Sequence, residues 1–298
     1  MGINVFFVIL PQLIIYKMKR HKILLLYAVG LLVIVFVILF ATKSGSLKMC
    51  AQTSKENYVM IFSDEFNQPS GSAPDVKKWS TNLPRAKAIW NRWIADSPKL
   101  VYVKNGNLVC RAIPNTILSN DTAAMLTGAL ETKGKFSFKY GKIEVRLKTN
   151  LKDGNFPAVW LMPEPPAKVH PYGGEIDIFE SYGKSDAYFT AHTHWTVNLG
   201  KKETPQHQFH ERVKLNKWHI YGLIWEKDRL IWTLDGKTVG VYTKLDSKEA
   251  KDNGQWPFDH PFFIRMNQSL GNETWKRGPS LKDVYETKID WVRVYKKL

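Results

Sequence analysis

The sequence predicts an all-β sandwich, and three observations carry that reading. From Tyr58 onward, short segments rich in Val, Ile, Phe and Tyr recur at the spacing of sandwich strands. Explicit turn signals separate them: Lys104-Asn105-Gly106-Asn107, Lys152-Asp153-Gly154-Asn155 and Leu234-Asp235-Gly236-Lys237. Helical periodicity is nearly absent, and only Ser247–Asn253 fits a turn or two of helix.

Taken in order, the chain opens with an apolar run, Ile3 to Ile15, broken by Pro11. Met18-Lys19-Arg20-His21-Lys22 follows, then almost unbroken apolar sequence from Ile23 to Thr42. Basic residues ahead of a long apolar core are the pattern of an export signal. That pattern makes Met18 the expected start and residues 1–17 an upstream extension. The apolar core is also long enough to span a bilayer. Residues 1–54 are therefore read as an export signal or membrane anchor. Three outcomes stay open: cleavage after Ala51, lipid attachment at Cys50, and an uncleaved anchor. Each exports the domain, leaving it secreted, periplasmic or tethered at the cell surface.

Residues 55–298 read as one β-domain, because no internal repeat or long linker interrupts them. β-Branched and aromatic residues fit a pleated, half-buried surface, and they mark the candidate strands. The early ones are Tyr58–Ser63, Leu100–Val103, Asn107–Ile113, Thr127–Thr132, Lys135–Phe138, Gly141–Leu147 and Ala158–Met162. The later ones are Glu175–Glu180, Ala187–Trp195, Trp218–Glu226, Arg229–Leu234, Lys237–Tyr242, Phe262–Ser269 and Lys288–Tyr295. The last of these is expected to return to the sheet beside an early strand.

Gly173-Gly174-Glu175-Ile176-Asp177-Ile178-Phe179-Glu180 concentrates three carboxylates within one such strand. Strict alternation puts Glu175, Asp177 and Phe179 on one face and turns Glu180 away. One β-bulge after Asp177 would return Glu180 to the face of the other two acids. Three acids side by side repel one another, a cost that chemistry can use. Paired carboxyl groups across a bound sugar suit a retaining glycosidase, one as nucleophile and one as acid/base. The competing structural reading is an ordinary strand with solvated acids on its outer face.

Aromatic and neutral polar residues would serve a sugar cleft. Trp160 ends the preceding strand. On the following one, His192 and His194 share a face by period two, with Trp195 beside them. Trp90 and Trp93 read as loop aromatics near a groove. Trp225, Trp232 and Trp291 read as core residues. A metal pair of His192 and His194 lacks a third ligand in a suitable frame, so no catalytic metal is expected.

Six of the 43 Lys and Arg and none of the 27 acids fall in residues 1–54. The rest of the chain therefore holds 37 against 27, a net charge of +10. A basic domain points to nucleic acid, a membrane surface or an acidic polymer such as a sulfated or sialylated glycan. No basic helix, zinc-ligand spacing or nucleic-acid fold supports the first, so no nucleic acid is expected. Cys50 and Cys110 are the only cysteines, which gives neither a disulfide framework nor a metal set. Gly-x-Ser-x-Gly and a phosphate loop are both absent.

Glu175-Ile176-Asp177-Ile178-Phe179-Glu180 resembles the bulged Glu-x-Asp-x-x-Glu signature of glycoside hydrolase family 16, found in laminarinases, agarases and endo-β-galactosidase-like relatives. The resemblance extends over most of residues 58–298. Phe62-Ser63-Asp64-Glu65-Phe66 is similar to an early strand of the family, and Tyr140-Gly141-Lys142-Ile143-Glu144-Val145-Arg146 to its second block. Phe156-Pro157-Ala158-Val159-Trp160 resembles its Trp-Pro-Ala-x-Trp, with Phe replacing the first Trp. Trp218 to Trp225, Leu234 to Lys237 and Ile289 to Tyr295 complete the order.

The resemblance implies a β-jelly roll of two curved antiparallel sheets with a concave substrate cleft. It makes Glu175 the nucleophile, Asp177 the assisting carboxylate and Glu180 the acid/base of an endo-acting retaining hydrolase. Trp160 would lie beside the −1 subsite, and His194-Trp195 in the region following the catalytic strand. No cofactor is implied, though Asp290 matches a ligand of the structural calcium some members carry. A monomer acting on a polysaccharide or glycan is expected. The family default is β-1,3-glucan. Asn267-Gln268-Ser269-Leu270-Gly271-Asn272 departs from the glucanase Asn-Leu-Ala-Val-Gly-Gly at Gln268 and Ser269, which are more polar and could reach a sugar hydroxyl. Asn267 and Gln268 are the candidates for sugar contact. The Pro163–Tyr172 loop also differs from the common Trp-Pro-containing version. The +10 charge and the His192-Thr193-His194-Trp195 run would suit a galactan or a sulfated or sialylated glycan, and with these departures they keep a β-galactoside polymer nearly level with the default. A non-catalytic glycan-binding sandwich is the rival from another class.

Overall fold

The computed structural model of the chain describes residues 57–183, 185–199, 205–272 and 278–298. Asn57–Leu298 forms one compact unit. The expected leader, residues 1–54, lies outside the described residues. Among the described residues, no helix is long and apolar enough to cross a membrane.

In chain order the strands are β1 (Tyr58–Asp64), β2 (Val101–Val103), β3 (Leu108–Pro114), β4 (Met125–Thr127), β5 (Ala129–Glu131), β6 (Ser137–Phe138), β7 (Gly141–Thr149) and β8 (Asn155–Pro163). They continue as β9 (Glu175–Glu180), β10 (Asp186–His192), β11 (Gln208–Arg212), β12 (His219–Trp225), β13 (Arg229–Leu234), β14 (Lys237–Thr243), β15 (Phe262–Leu270) and β16 (Tyr285–Lys297). Two short helices, α1 (His194–Val197) and α2 (Lys248–Asp252), accompany them. α2 falls within the one stretch whose sequence fits a helical turn.

The strands form two antiparallel sheets. One runs β14-β13-β12-β7-β16-β3-β2, with β1 beside β16 and β4 beside β3. The other runs β11-β10-β9-β8-β15-β5, with β6 beside β15. β16 pairs with β1, β3 and β7, so the last strand returns beside early ones as expected. Alternation sorts each strand: in β7, Ile143, Val145 and Leu147 are buried while Lys142, Glu144 and Arg146 stay partly exposed. Ile176 and Phe179 of β9 join them in one core between the sheets. The ring of Phe179 lies 4.5 Å from that of Tyr221 on β12. Burial of each such side chain stabilises the fold by about 1.5–3 kcal/mol.

Thr127–Thr132, expected as one strand, is split. Thr127 pairs with β3 in the first sheet, whereas Ala129 pairs with β15 in the second. Gly128 sits at the crossing, where an added Cβ would come within 2.6 Å of the Leu100 carbonyl. The strand expected over Ala187–Trp195 stops at His192. Thr193 and Thr196 exchange side-chain-to-backbone hydrogen bonds, a capping box that starts α1 instead. β11 has no apolar alternation because it is a polar edge strand; only its Phe209 turns inward, against Trp232 at 5.5 Å. Trp225 and Trp232 are core residues. Trp291 is instead half-buried with Arg293 over its ring, since the register shifts between Ile289 and Trp291.

Candidate active site

β9 carries the bulge. Asp177 stands opposite Trp160 and Thr190, and Glu180 opposite Ala158 and Tyr188. Two residues, Ile178 and Phe179, thus face one residue on each neighbouring strand. The extra residue returns Glu180 to the face of Glu175 and Asp177. Ile176, Ile178 and Phe179 are fully buried on the core side. Trp232 fixes the strand from the opposite sheet by donating its indole N–H to the Asp177 carbonyl at 2.8 Å.

The three carboxyl groups occupy different electrostatic settings. Burial works against ionisation of Glu175. The hydrogen bond from His170, the charges of His192 and His170, and Arg265 outweigh it and hold Glu175 below the usual carboxylate range. His170 Nε2 lies 3.1 Å from Glu175 Oε2. Burial pushes Asp177 well up, reinforced by the charge of Glu175 and by a hydrogen bond shared with it. Burial also raises Glu180 well above its ordinary value, aided by Asp177 and opposed by His192 and the Tyr182 hydroxyl. Tyr182 Oη donates to Glu180 Oε2 at 2.9 Å. Their surroundings thus favour the ionised form of Glu175 and the protonated form of Glu180. Environments that push two carboxyl groups apart assign a nucleophile and an acid.

A cavity of about 300 Å³ opens over these groups, lined by Trp90, Trp160, Phe156, Tyr182, Asn267, Glu175 and Glu180, among others. Its aromatic walls are tied together. Trp160 Nε1 donates to Asn267 Oδ1 at 2.8 Å, and Asn267 Nδ2 donates to Ser269 Oγ at 2.9 Å. Ser269 Oγ in turn donates to the Trp90 carbonyl. The rings of Trp90 and Trp160 meet edge to face, centroids 5.1 Å apart. The Arg265 guanidinium lies 4.6 Å from one ring centroid and 4.7 Å from the other. Glu131 anchors it through Arg265 Nε at 2.8 Å.

Other candidates are placed elsewhere. Trp93 packs against Ala112, Met125, Leu270 and Tyr285, with Arg92 over its ring, and does not line the cavity. Gln268 points opposite to Asn267, as period two demands. It is fully buried, donating to Asn155 Oδ1 and accepting from Thr287 Oγ1, both at 2.7 Å. His192 Nε2 lies 3.1 Å from Asp177 Oδ2. His194 does not share its face, because it sits in α1, stacked on Tyr172 at 4.1 Å. Trp195 is buried in the same helix.

Glu175, Asp177 and His192 bring one donor atom each within 4.8 Å of one another, a spacing that admits a metal ion. The two carboxyl groups share a hydrogen bond, however, whereas ligation needs both ionised. Asp290, the calcium-ligand match, is engaged by Arg146. Reading the sequence missed His170, Arg265, Tyr182 and Glu131. Polar residues next to the acid strand were the available signal for His170 and Tyr182; β15 pairing alone brings in Arg265.

The chain is similar to known proteins over most of its described length. The profile described as Glycosyl hydrolases family 16 matches residues 98–293. The chain is 31% identical over 260 residues to the keratan-sulfate endo-1,4-beta-galactosidase of Sphingobacterium multivorum, covering 86% of this chain and 59% of that protein. It is 32% identical over 267 residues to glucan endo-1,3-beta-glucosidase A1 of Niallia circulans, covering 80% and 38%. The chain thus spans less than two thirds of either relative. Among solved structures, SCLam, a non-specific endo-beta-1,3(4)-glucanase, superposes with a TM-score of 0.69 at 29% identity, covering 81% of this chain and 92% of that one.

Proposed function

The chain belongs to glycoside hydrolase family 16 and has its jelly-roll fold, and from that membership we propose that it is an endo-acting, retaining glycoside hydrolase. The observation that carries this reading is the placing of Glu175 and Glu180 on one face of the bulged strand, with His170 against the first and the Tyr182 hydroxyl and deep burial around the second. Glu180 protonates the departing sugar oxygen while Glu175 attacks the anomeric carbon. Glu180, now ionised, then takes a proton from water, which hydrolyses the glycosyl–enzyme bond. Asp177, hydrogen-bonded to Glu175, orients the nucleophile. Proton and nucleophile both come from side chains, so the reaction calls for no cofactor. A glycan-binding sandwich has no use for two carboxyl groups whose surroundings push their acidities in opposite directions.

The substrate is a β-linked polysaccharide, with β-1,3-glucan as the first reading, supported by the glucanase relative and the SCLam likeness. An endo-β-galactosidase reading is supported by the keratan-sulfate-degrading relative and by the Asn267–Ser269 departure from the glucanase pattern. Digestion of laminarin, lichenan, agarose, keratan-type chains and mucin, read by product size, separates the two. Release of no reducing ends from any of them would overturn the hydrolase assignment. The basic-then-apolar leader supports export of the domain, free or tethered.

A further inference from the structure

Beyond Glu180 lies a row of rings that the double displacement does not use. Tyr182 stacks on Phe156, centroids 5.3 Å apart at 23°, and meets Tyr188 edge-on at 4.8 Å. Tyr188 lies 5.9 Å from His210. The register makes the row continuous across strands. Tyr188 stands opposite Glu180 on one side and opposite His210 on the other, so all three share the cleft face. Tyr182 is 40% exposed despite sitting against a buried carboxyl group. A ring placed only for packing would be covered; this one offers a surface beside the acid.

An acid that protonates the bridging oxygen must lie beside the departing sugar, not the one attacked by the nucleophile. Trp160 stands opposite Asp177, one step nearer Glu175, and Tyr182 touches Glu180. Sugar rings present C–H faces that pack on aromatic rings, with their hydroxyls free to bond at the edges. We infer that Tyr182, continued by Tyr188 and His210, is the platform for the sugars leaving the scissile bond, and that its hydroxyl positions Glu180. This rests on the proposed role of Glu180. Tyr182 is then a specificity-determining residue: it makes turnover depend on glycan beyond the cut.

The groups facing Glu180 are Asp177 and Glu175 on its own strand, His192 and Tyr188 on β10, and Tyr182 past the strand end. β8 presents only Ala158 opposite it. The Tyr182 hydroxyl is the uncharged donor among them that favours the carboxylate, so its loss moves the basic limb of the pH profile upward.

The test compares wild type, Tyr182→Phe and Tyr182→Ala on two probes. One is an oligosaccharide ladder, from laminarin or from keratan-type chains, whichever the wild type cleaves. The other is a nitrophenyl glycoside of the corresponding disaccharide, which has no sugar on the leaving side. Tyr182→Ala is expected to lower kcat/KM on the longer oligosaccharides about tenfold or more, and on the nitrophenyl glycoside less than about threefold. Tyr182→Phe is expected to keep the oligosaccharide preference while its basic limb moves up. Equal losses on both probes, or no loss on either, would overturn the platform. Failure of the hydrolase reading looks different, since wild type would then cleave nothing. In that case binding of the same oligosaccharides decides, and equal affinity of Tyr182→Ala and wild type overturns the inference.

Discussion

Glu175 takes its hydrogen bond from His170, five residues earlier, across a reversal at Gly173-Gly174. Gly174 adopts φ +83°, and a Cβ there would meet Pro257 at 2.7 Å and Phe258 at 2.9 Å. The loop that differs from the usual family version thus returns to grip the nucleophile. Removing the donor lets Glu175 rise, so His170→Ala is expected to move the acid limb of kcat/KM to higher pH. The loss on that limb should be about 10- to 100-fold, the range for a hydrogen bond to a charged group. A pH–rate profile on a soluble substrate checks this; an unmoved acid limb would remove His170 from the mechanism.

Glu175→Gln is expected to remove turnover by about 10⁴-fold or more, and Glu180→Gln by about 10²- to 10⁴-fold. Circular dichroism should stay that of the wild type. Substantial activity in either variant would sink the assignment.

Stability should move the other way. Glu180 has a raised carboxyl in the fold, so the folded state binds the proton more tightly than the unfolded chain. The stability this gives is present below the ordinary carboxylate range and declines as pH rises toward the shifted value. Glutamine does not titrate. Glu180→Gln is therefore expected to raise Tm at pH 7 by roughly 2–8 °C, for about 1–2 kcal/mol in a domain of this size, with little gain near pH 4. Calorimetry at both pH values tests this, and equal shifts would contradict it.

Asn267 and Gln268 are neighbours with opposite expected phenotypes. Asn267→Ala breaks the link from Trp160 to Ser269, so kcat/KM should fall about tenfold. Gln268→Ala strands Asn155 and Thr287 in the core, so Tm should fall by roughly 2–10 °C while KM holds. Paired kinetics and melting of the two variants distinguish wall from core.

Local rules account for most of what the residues revealed in advance. Turn chemistry and alternation located the strands, and the acid spacing required the bulge at Ile178-Phe179 that the register contains. Alternation also holds the answer for Gln268, which must point away from Asn267. Trp93 was illegible for another reason: a loop tryptophan beside a groove and one on a satellite core look alike in sequence. Arg265 lies 90 residues after Glu175 and reaches the cleft only because β15 pairs with β8. Long-range pairing of that kind leaves no local trace. His194 was misplaced because Thr193 and Thr196 cap a helix where the histidine spacing imitates a strand.

The bulge has a further consequence. Ile178 is 0% exposed, so the core absorbs the surplus residue and the cleft shows no scar of it. Straightening the bulge while keeping all six residues would turn Phe179 outward and bury Glu180 among hydrocarbon. Deleting that one isoleucine as well would leave Glu-x-Asp-x-Glu, with all three acids on one face by plain alternation. Catalytic competence in this strand rests on residue count and bulge together: six residues with one bulge and five without present the same three acids. Isoleucine and bulge can be lost together without moving an acid, but losing either one alone would turn Glu180 toward the core.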